Sequence, residues 1–257
     1  MGQRSEYAPG TFCWVELSTP DQQAAKIFYG SLFGWGSDDR PVGEGAYYAI
    51  QMLGDKPVAA ISDQPAAQRD AGVPPLWNSY VSVQSADETA ARAAELGGTV
   101  HAGPFDVMQA GRMAVIQDPQ GAYFMLWERG ETLGAALVNE PGTLVWNELS
   151  TPDMEGASAF YSGLFGWSTE PMDSPEPYWI IKNGQASNGG IRELREPMPP
   201  NWLVYFGIDD IERGIARVIE LGGGKMIGPI DIGIAKLAVV HDPQGAVFAL
   251  YAGQLDD

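Results

Sequence analysis

The stretch WVELSTPD at residues 14–21 returns almost unchanged as WNELSTPD at residues 146–153. The stretch FYGSLFGW at residues 28–35 likewise returns as FYSGLFGW at residues 160–167, and both pairs are separated by 132 positions. Self-similarity at a fixed offset indicates a duplicated structural unit. The chain of 257 residues is therefore predicted to hold two related units, each about the size of a single domain.

The later part of each unit also repeats, in the same order. The matching stretches are ELGG at 95–98 and 220–223, GPFDV at 103–107 with GPIDI at 228–232, and DPQGA at 118–122 and 242–246. Between the units, the glycine-containing stretch RGETLGAALVNEPG at 129–142 has no sustained periodicity, which is typical of a linker. We expect one domain over residues 1–130, a linker at about 131–142 and a second domain over residues 143–257.

Each unit is predicted to contain two modules that begin with a strand and a helix. Residues 12–17 alternate with a period of two, as in a strand, and the STPD stretch at 18–21 supplies helix-capping groups. The helix that follows is predicted to bury an apolar stripe of Ala24, Ile27, Phe28 and Leu32. Two or three short strands follow each helix, and DPQG is typical of a tight turn. Four such modules predict an α+β fold with curved mixed sheets.

Composition and charge exclude several classes of protein. Hydrophobic residues make up 45% and charged residues 19%, as in a packed globular chain. The net charge of −18 repels phosphate groups, so neither nucleic acid nor a membrane is expected as a partner. No apolar run approaches the roughly 18 residues that cross a bilayer, and the N-terminal residues lack the apolar core of a signal peptide. We expect a cytoplasmic protein.

The sequence resembles the vicinal oxygen chelate superfamily in three features. These are a first strand followed by STPD, a helix ending in LFGW and a late strand pair joined by DPQG. This superfamily has the glyoxalase, bleomycin-resistance and extradiol-dioxygenase fold. The resemblance covers nearly the whole chain, and the sequence also resembles a subgroup with two glyoxalase-like domains in one chain. It implies tandem glyoxalase-like domains of four βαβββ modules whose sheets enclose cavities. Because single-domain relatives usually dimerise, it also implies a monomer that carries the equivalent of that dimer, or a homodimer.

Metal-dependent members of that superfamily place His, Gln or Glu ligands on the first and last strands of their modules. The resemblance puts the first-strand position seven residues before the Asp of STPD, at Trp14 and Trp146. It puts the last-strand position seven residues after the Asp of DPQG, at Met125 and Ala249. Indole, thioether and methyl groups do not bind the usual metals as carboxylate and imidazole do. We therefore expect no metal and no other cofactor.

The strand that opens the second module of each unit leaves two registers open. It offers either Asn78 and Leu203 or, with a shift of two residues, Tyr80 and Tyr205.

Two carboxylates are the candidate catalytic residues. Glu16 and Glu148 each follow a tryptophan by two positions, so they share the inward face of their strand. A carboxyl group beside an indole in a dry cavity is suited to proton transfer. In the structural alternative, each carboxylate binds backbone amides or a neighbouring arginine and fixes its strand.

Aromatic side chains are the candidate ligand-binding residues. Trp14 and Trp146 are expected either to wall a pocket or to fill a core where relatives hold a metal. The further candidates are Met125 and the aromatic residues Tyr48, Tyr80, Trp127, Tyr178, Tyr205 and Tyr251. Many aromatic side chains at inward strand positions suit a planar or apolar small molecule.

Three functions are compatible with these residues. The preferred one is metal-independent binding of a small apolar or aromatic metabolite or antibiotic. The first alternative is an isomerase, lyase or hydratase that uses Glu16 or Glu148 as a general acid or base. The second alternative is a protein-interaction role with vestigial cavities.

Overall fold

The computed structural model describes residues 2–43, 45–195 and 198–255. The strands of the first half are β1 (Phe12–Thr19), β2 (Gly36–Gly43), β3 (Ala46–Leu53), β4 (Lys56–Asp63), β5 (Leu76–Val83), β6 (Thr99–Val107), β7 (Gly111–Gln117) and β8 (Tyr123–Arg129). Its helices are α1 (Gln22–Phe33), α2 (Ala66–Asp70) and α3 (Ala86–Glu95).

The second half repeats this order apart from α2. Its strands are β9 (Leu144–Thr151), β10 (Ser168–Pro171), β11 (Tyr178–Asn183), β12 (Ala186–Glu193), β13 (Asn201–Gly207), β14 (Gly224–Asp231), β15 (Ala235–His241) and β16 (Val247–Gly253). Its helices are α4 (Met154–Phe165) and α5 (Ile211–Glu220).

Each half forms one eight-stranded mixed sheet from its described strands. The strand order is β2-β3-β4-β1-β5-β8-β7-β6 in the first sheet and β10-β11-β12-β9-β13-β16-β15-β14 in the second. β1 runs parallel to β4 and antiparallel to β5, and β9 has the same relation to β12 and β13. Consecutive modules therefore join through their first strands. This arrangement confirms the predicted α+β class, with one mixed sheet in each half.

The two long module helices begin and end alike because their sequences do. Asp21 and Asp153 are the N-caps, and each carboxylate accepts a backbone hydrogen bond from three residues further on. Gly34 and Gly166 end the helices with φ of 77° and 74°, a left-handed conformation that glycine adopts without strain. The hydroxyls of the STPD stretch do not cap, because β1 extends to Thr19. None of the helices described here is long and apolar enough to span a membrane.

The helices of each half pack against the other half. On α1, Tyr29 packs at a tilt against Phe248, with ring centroids 5.5 Å apart, and donates a hydrogen bond of 3.2 Å to Asp242. On α4, Tyr161 donates the equivalent bond of 2.9 Å to Asp118. Both aspartates belong to the DPQG turns, so each turn anchors the opposite helix. This aromatic core buries one face of each sheet and leaves the other for the site.

Candidate functional site

A cavity of about 610 Å³ lies against the second sheet, within the usual size range of small-molecule sites. At one end is a polar cluster formed by Trp146, Glu148, Tyr178, Arg192 and Tyr205. At the mouth is an isoleucine rim, which is 36–70% exposed and consists of Ile227, Ile230, Ile232 and Ile234. The N-terminal residues Arg4, Tyr7, Thr11 and Phe12 also line the cavity. The cavity therefore combines a buried carboxylate and its polar neighbours with a set of exposed isoleucines.

Strand geometry brings the polar cluster together. Trp146 and Glu148 share a face of β9 because side chains alternate along a strand. Trp146 pairs with Tyr205 on β13, and Tyr205 pairs with Ala249 on β16. Tyr80 lies beside Trp14 in the same way in the first half. Of the two registers that the sequence leaves open, the structure therefore has the one with the tyrosines.

Glu148 is the centre of the polar cluster and is only 4% exposed. The hydroxyl groups of Tyr178 and Tyr205 favour the ionised form of its carboxyl group, and Trp146 Nε1 donates to Tyr178 Oη at 2.9 Å. Glu148 Oε1 has no hydrogen-bond partner, since Arg192 Nη1 lies 3.6 Å away and makes an ion pair only. A buried acceptor without a partner is rare and calls for an explanation.

Gly190 makes room for this arrangement. It lies opposite Glu148 on β12, and a Cβ at this position would collide with the Tyr178 hydroxyl. The first half has Ala60 at the equivalent position opposite Glu16. The second-half tyrosine therefore occupies space that the first half fills with a methyl group.

The electrostatics of the cluster favour a carboxyl group that holds its proton more tightly than usual. Burial raises the pKa of Glu148, and Arg192, Tyr205 and Tyr178 oppose that rise. Burial and then the charge of Glu148 raise the pKa of both tyrosines, so their hydroxyls stay protonated. Arg192 Nη2 also lies 3.5 Å from the exposed Glu176, which contacts Arg195 as well. The Arg192 guanidinium thus bridges a buried and an exposed carboxylate.

The equivalent carboxylate of the first half is fully engaged. Glu16 accepts hydrogen bonds from Tyr48 at 3.0 Å, from Ser62 at 2.6 Å and from Tyr80 at 2.7 Å. Ser62 occupies the place of Arg192, since each lies opposite the corresponding tyrosine on the neighbouring strand. The first half therefore satisfies its carboxylate with three hydroxyl groups and has no cation at this position.

The space above Glu16 is also filled. Trp127 is 8% exposed and packs edge-on against Tyr80 with ring centroids 6.3 Å apart. Its Nε1 donates to the carbonyl of Thr132 at 3.1 Å, and the backbone of the fully buried Ala135 donates to β1 at 2.8 Å. The segment after β8 therefore lies across the first sheet and holds Trp127 in place.

The predicted site residues fall into two groups. Those that line the cavity are Trp146, Glu148, Tyr178, Tyr205 and Tyr251. The predicted residues of the first half do not line this cavity, and they lie in or beside a core of packed side chains. They are Trp14, Glu16, Tyr48, Tyr80, Met125 and Trp127.

The predicted site residues did not include Arg192 or the isoleucine rim, although a neighbouring arginine was the structural alternative for each carboxylate. The signals were present: Arg192 follows Gly190 by two positions on β12, and apolar residues recur through MIGPIDIGI at 226–234.

The residues at the expected metal-ligand positions do not fit a metal ion. In each half, the paired residues on three neighbouring strands form a row across the sheet at these positions. The row consists of Trp14, Tyr80 and Met125 in the first half and of Trp146, Tyr205 and Ala249 in the second. Indole, protonated phenol, thioether and methyl groups are not the donors that catalytic metals use. Within residues 2–43, 45–195 and 198–255, no three His, Cys, Asp or Glu side chains are grouped so that they could hold a metal.

Both halves match models of one protein superfamily. The model of the glyoxalase/bleomycin resistance protein/dioxygenase superfamily matches residues 11–126. A glyoxalase-like domain model matches residues 144–251.

Full-length relatives support the same assignment. The chain is 44% identical over 255 residues to CFP32 of Mycobacterium tuberculosis, whose name assigns it provisionally to the glyoxylases, and the match covers 97% of each chain. It is 34% identical over 269 residues to the anthracycline biosynthesis protein DauV of Streptomyces sp. (strain C5), which covers 96% of this chain and 94% of DauV.

Solved structures share the fold at low sequence identity. The Mn(II)-bound glyoxalase from Novosphingobium aromaticivorans has a TM-score of 0.66 at 16% identity, covering 100% of this chain and 84% of its own. The 2,3-dioxygenase LapB from Pseudomonas sp. KL28 has a TM-score of 0.68 at 14% identity, covering 96% and 94%. From its fold, its two matched domains and its full-length relatives, the chain belongs to the glyoxalase/bleomycin resistance protein/dioxygenase superfamily.

Proposed function

We propose that this protein binds a small apolar or aromatic molecule, a metabolite or an antibiotic, in the second-half cavity and needs no metal to do so. The cavity of about 610 Å³ carries this proposal, since it joins an apolar rim to a buried polar cluster. Ligand sites usually combine mostly apolar walls with a few polar groups that orient the ligand. The first half, whose equivalent space is filled, then serves as the structural copy.

Metal independence is supported by the side chains in the two rows across the sheets. Binding of a catalytic metal needs several carboxylate, imidazole or thiolate donors at one point. Glu148 is a single carboxylate, and Arg192 already lies 3.6 Å from its oxygen. A guanidinium at that distance opposes a second cation through charge repulsion.

The relatives are compatible with a ring-shaped ligand. DauV is named for anthracycline biosynthesis, and anthracyclines are fused-ring compounds. Flat faces at Trp146, Tyr178 and Tyr251 suit such a molecule.

One observation favours a second candidate function, metal-independent acid–base catalysis. Burial raises the pKa of Glu148, and the cavity reaches this residue. A carboxyl group whose pKa moves toward neutrality is a better proton donor and acceptor at physiological pH. In this alternative, Glu148 transfers a proton and Arg192 stabilises the charge that develops on the substrate.

Titration with the uncharged naphthalene dye Prodan, with and without EDTA, tests the binding proposal. We expect saturable fluorescence enhancement that EDTA does not change. Leu237 lines the cavity, so Leu237→Trp is expected to fill it and to weaken binding by about tenfold or more. Ile27→Trp is the matched control, because Ile27 is 61% exposed on α1 and does not line the cavity.

Three results contradict this proposal. The dye fails to saturate, Leu237→Trp binds it as the wild type does, or binding is lost in EDTA. The first two argue against the cavity as the site, and the third argues against metal independence.

A further inference from the structure

The cavity is much less acidic than the rest of the chain. The chain has 15 basic and 33 acidic residues and a net charge of −18. Among the described residues that line the cavity, the basic ones are Arg4, Lys182, Arg192 and Arg195, and the acidic ones are Glu148 and Glu176. A cavity rich in cations inside an acidic protein raises the local concentration of anions.

Arg192 has hydrogen-bonding capacity to spare. Its side chain is 24% exposed, and its two ion-pair contacts are 3.6 Å to Glu148 and 3.5 Å to Glu176. Both distances exceed the roughly 2.7–2.9 Å of a close charge-assisted hydrogen bond. Since a guanidinium carries five N–H donors, it can still bind both oxygens of a carboxylate.

The neighbours of Arg192 allow an anion to approach. Glu176 is exposed and also contacts Arg195, so its negative charge is divided between two arginines. Burial raises the pKa of Glu148, which favours its neutral form and so weakens its ion pair with Arg192 at 3.6 Å. Lys182 lies 4.0 Å from Glu170, a distance at which its ammonium group is only loosely paired.

The apolar part of a ligand has a separate place in the same cavity. The isoleucine rim lies on β14 and on the turn into β15, whereas Arg192 lies on β12 at the polar cluster. A molecule that is charged at one end and apolar at the other matches this division.

We infer that the ligand of the second-half cavity is an organic acid with an apolar or aromatic body, and that the Arg192 guanidinium binds its anionic oxygens. This inference rests on the proposed function and adds the chemical class of the ligand. The first half has Ser62 at the position of Arg192 and therefore lacks the anchor.

Displacement of Prodan by naphthoate and by its methyl ester tests this inference, because the two competitors share their rings and differ in charge. We expect the wild type to bind naphthoate more tightly than the ester by about tenfold or more. Arg192→Met is expected to abolish this preference without weakening ester binding. Since removal of one partner of a buried ion pair can destabilise a protein, Arg192→Lys is the second variant. It keeps the charge but not the planar fork, and it is expected to reduce the preference severalfold.

Arg40→Met is the matched control for the loss of one positive charge. Arg40 is 57% exposed on β2, pairs with Asp38 and is absent from the cavity lining, so its loss should leave the preference unchanged. If the dye binds but the two competitors displace it equally, or the preference survives in Arg192→Met and Arg192→Lys, this inference is wrong while the proposed function stands. If the dye itself does not bind, the proposed function fails and the inference fails with it.

Discussion

The two halves place the same Trp-x-Glu strand and the same two tyrosines around a carboxylate, but only one carboxylate is satisfied. Glu16 accepts three hydroxyl hydrogen bonds, one of them from Ser62. Glu148 has Arg192 in place of that serine and keeps Oε1 without a hydrogen-bond partner. The same motif thus has its carboxylate satisfied by hydroxyl groups in one half and paired with a guanidinium in the other.

The space in front of the carboxylates differs as well. Trp127 fills this space in the first half, where the segment after β8 holds it. Tyr251, its counterpart on β16, is half-buried and lines the cavity. The two halves therefore share a fold but differ in whether the space in front of the carboxylate is filled, and our proposal assigns ligand binding to the half in which it is open.

The largest effect is expected from truncating the residue that fills the first half. Trp127→Ala should lower the free energy of unfolding by about 3–5 kcal/mol, because it removes a buried indole and leaves a void. Tyr251→Ala should cost about 1–2 kcal/mol, since Tyr251 already faces the cavity. Chemical denaturation of both variants checks the difference. If both variants lost the same free energy of unfolding, the spaces in the two halves would be filled alike, and the contrast between the halves would be wrong.

A smaller effect is expected at the satisfied carboxylate. Glu16→Gln keeps one acceptor oxygen but turns an NH₂ group toward hydroxyl groups that donated to the carboxylate. We expect a loss of about 1–3 kcal/mol in the free energy of unfolding, the usual penalty when a buried polar group loses its partners. Ser62→Ala removes one of the three bonds and should cost less. A neutral Glu16→Gln would mean that the hydroxyl network reorients freely.

Much of the fold could be predicted because it is carried by apolar periodicity and by the repeat. The strands missed were β2 and β10, whose sequences GSDDRPVG and STEP have no apolar alternation. Pairing of β2 with β3 and of β10 with β11 holds these strands, and a local pattern does not reveal such pairing. The predicted stripe of α1 was wrong at Ala24 and Ile27, which are exposed, while Tyr29 is fully buried because that flank of the helix meets the other half.

Which residues form the two carboxylate clusters was easier to predict than whether the space in front of each cluster is open or filled. Alternation along β1 and β9 placed Trp14, Glu16, Trp146 and Glu148 on inward faces. Whether each face is open or filled depends on two features outside these strands. The segment after β8 lies far along the chain from β1, and Arg192 lies on β12 and not on β9. Such contacts follow from the curvature of the sheet, and the sequence pattern does not encode curvature directly.

The smallest effect, and one of opposite sign, is expected at the unsatisfied carboxylate. Burial raises the pKa of Glu148 above its ordinary value of 4.5 despite the opposing effects of Arg192, Tyr205 and Tyr178. The folded state therefore binds this proton more tightly than the unfolded state does, so the contribution of Glu148 to stability is lost as the pH rises above 4.5. Glu148→Gln removes the titrating group. Its melting temperature relative to the wild type should rise with pH and exceed the wild-type value by a few degrees at neutral pH. Thermal unfolding of both proteins across this range checks the prediction, and Glu16→Gln, which we expect to be destabilised, is the matched control. A Glu148→Gln variant that is less stable than the wild type at neutral pH would mean that the ion pair with Arg192 outweighs the cost of burying the charge. Both carboxylates would then stabilise the fold, and they would differ only in their partners.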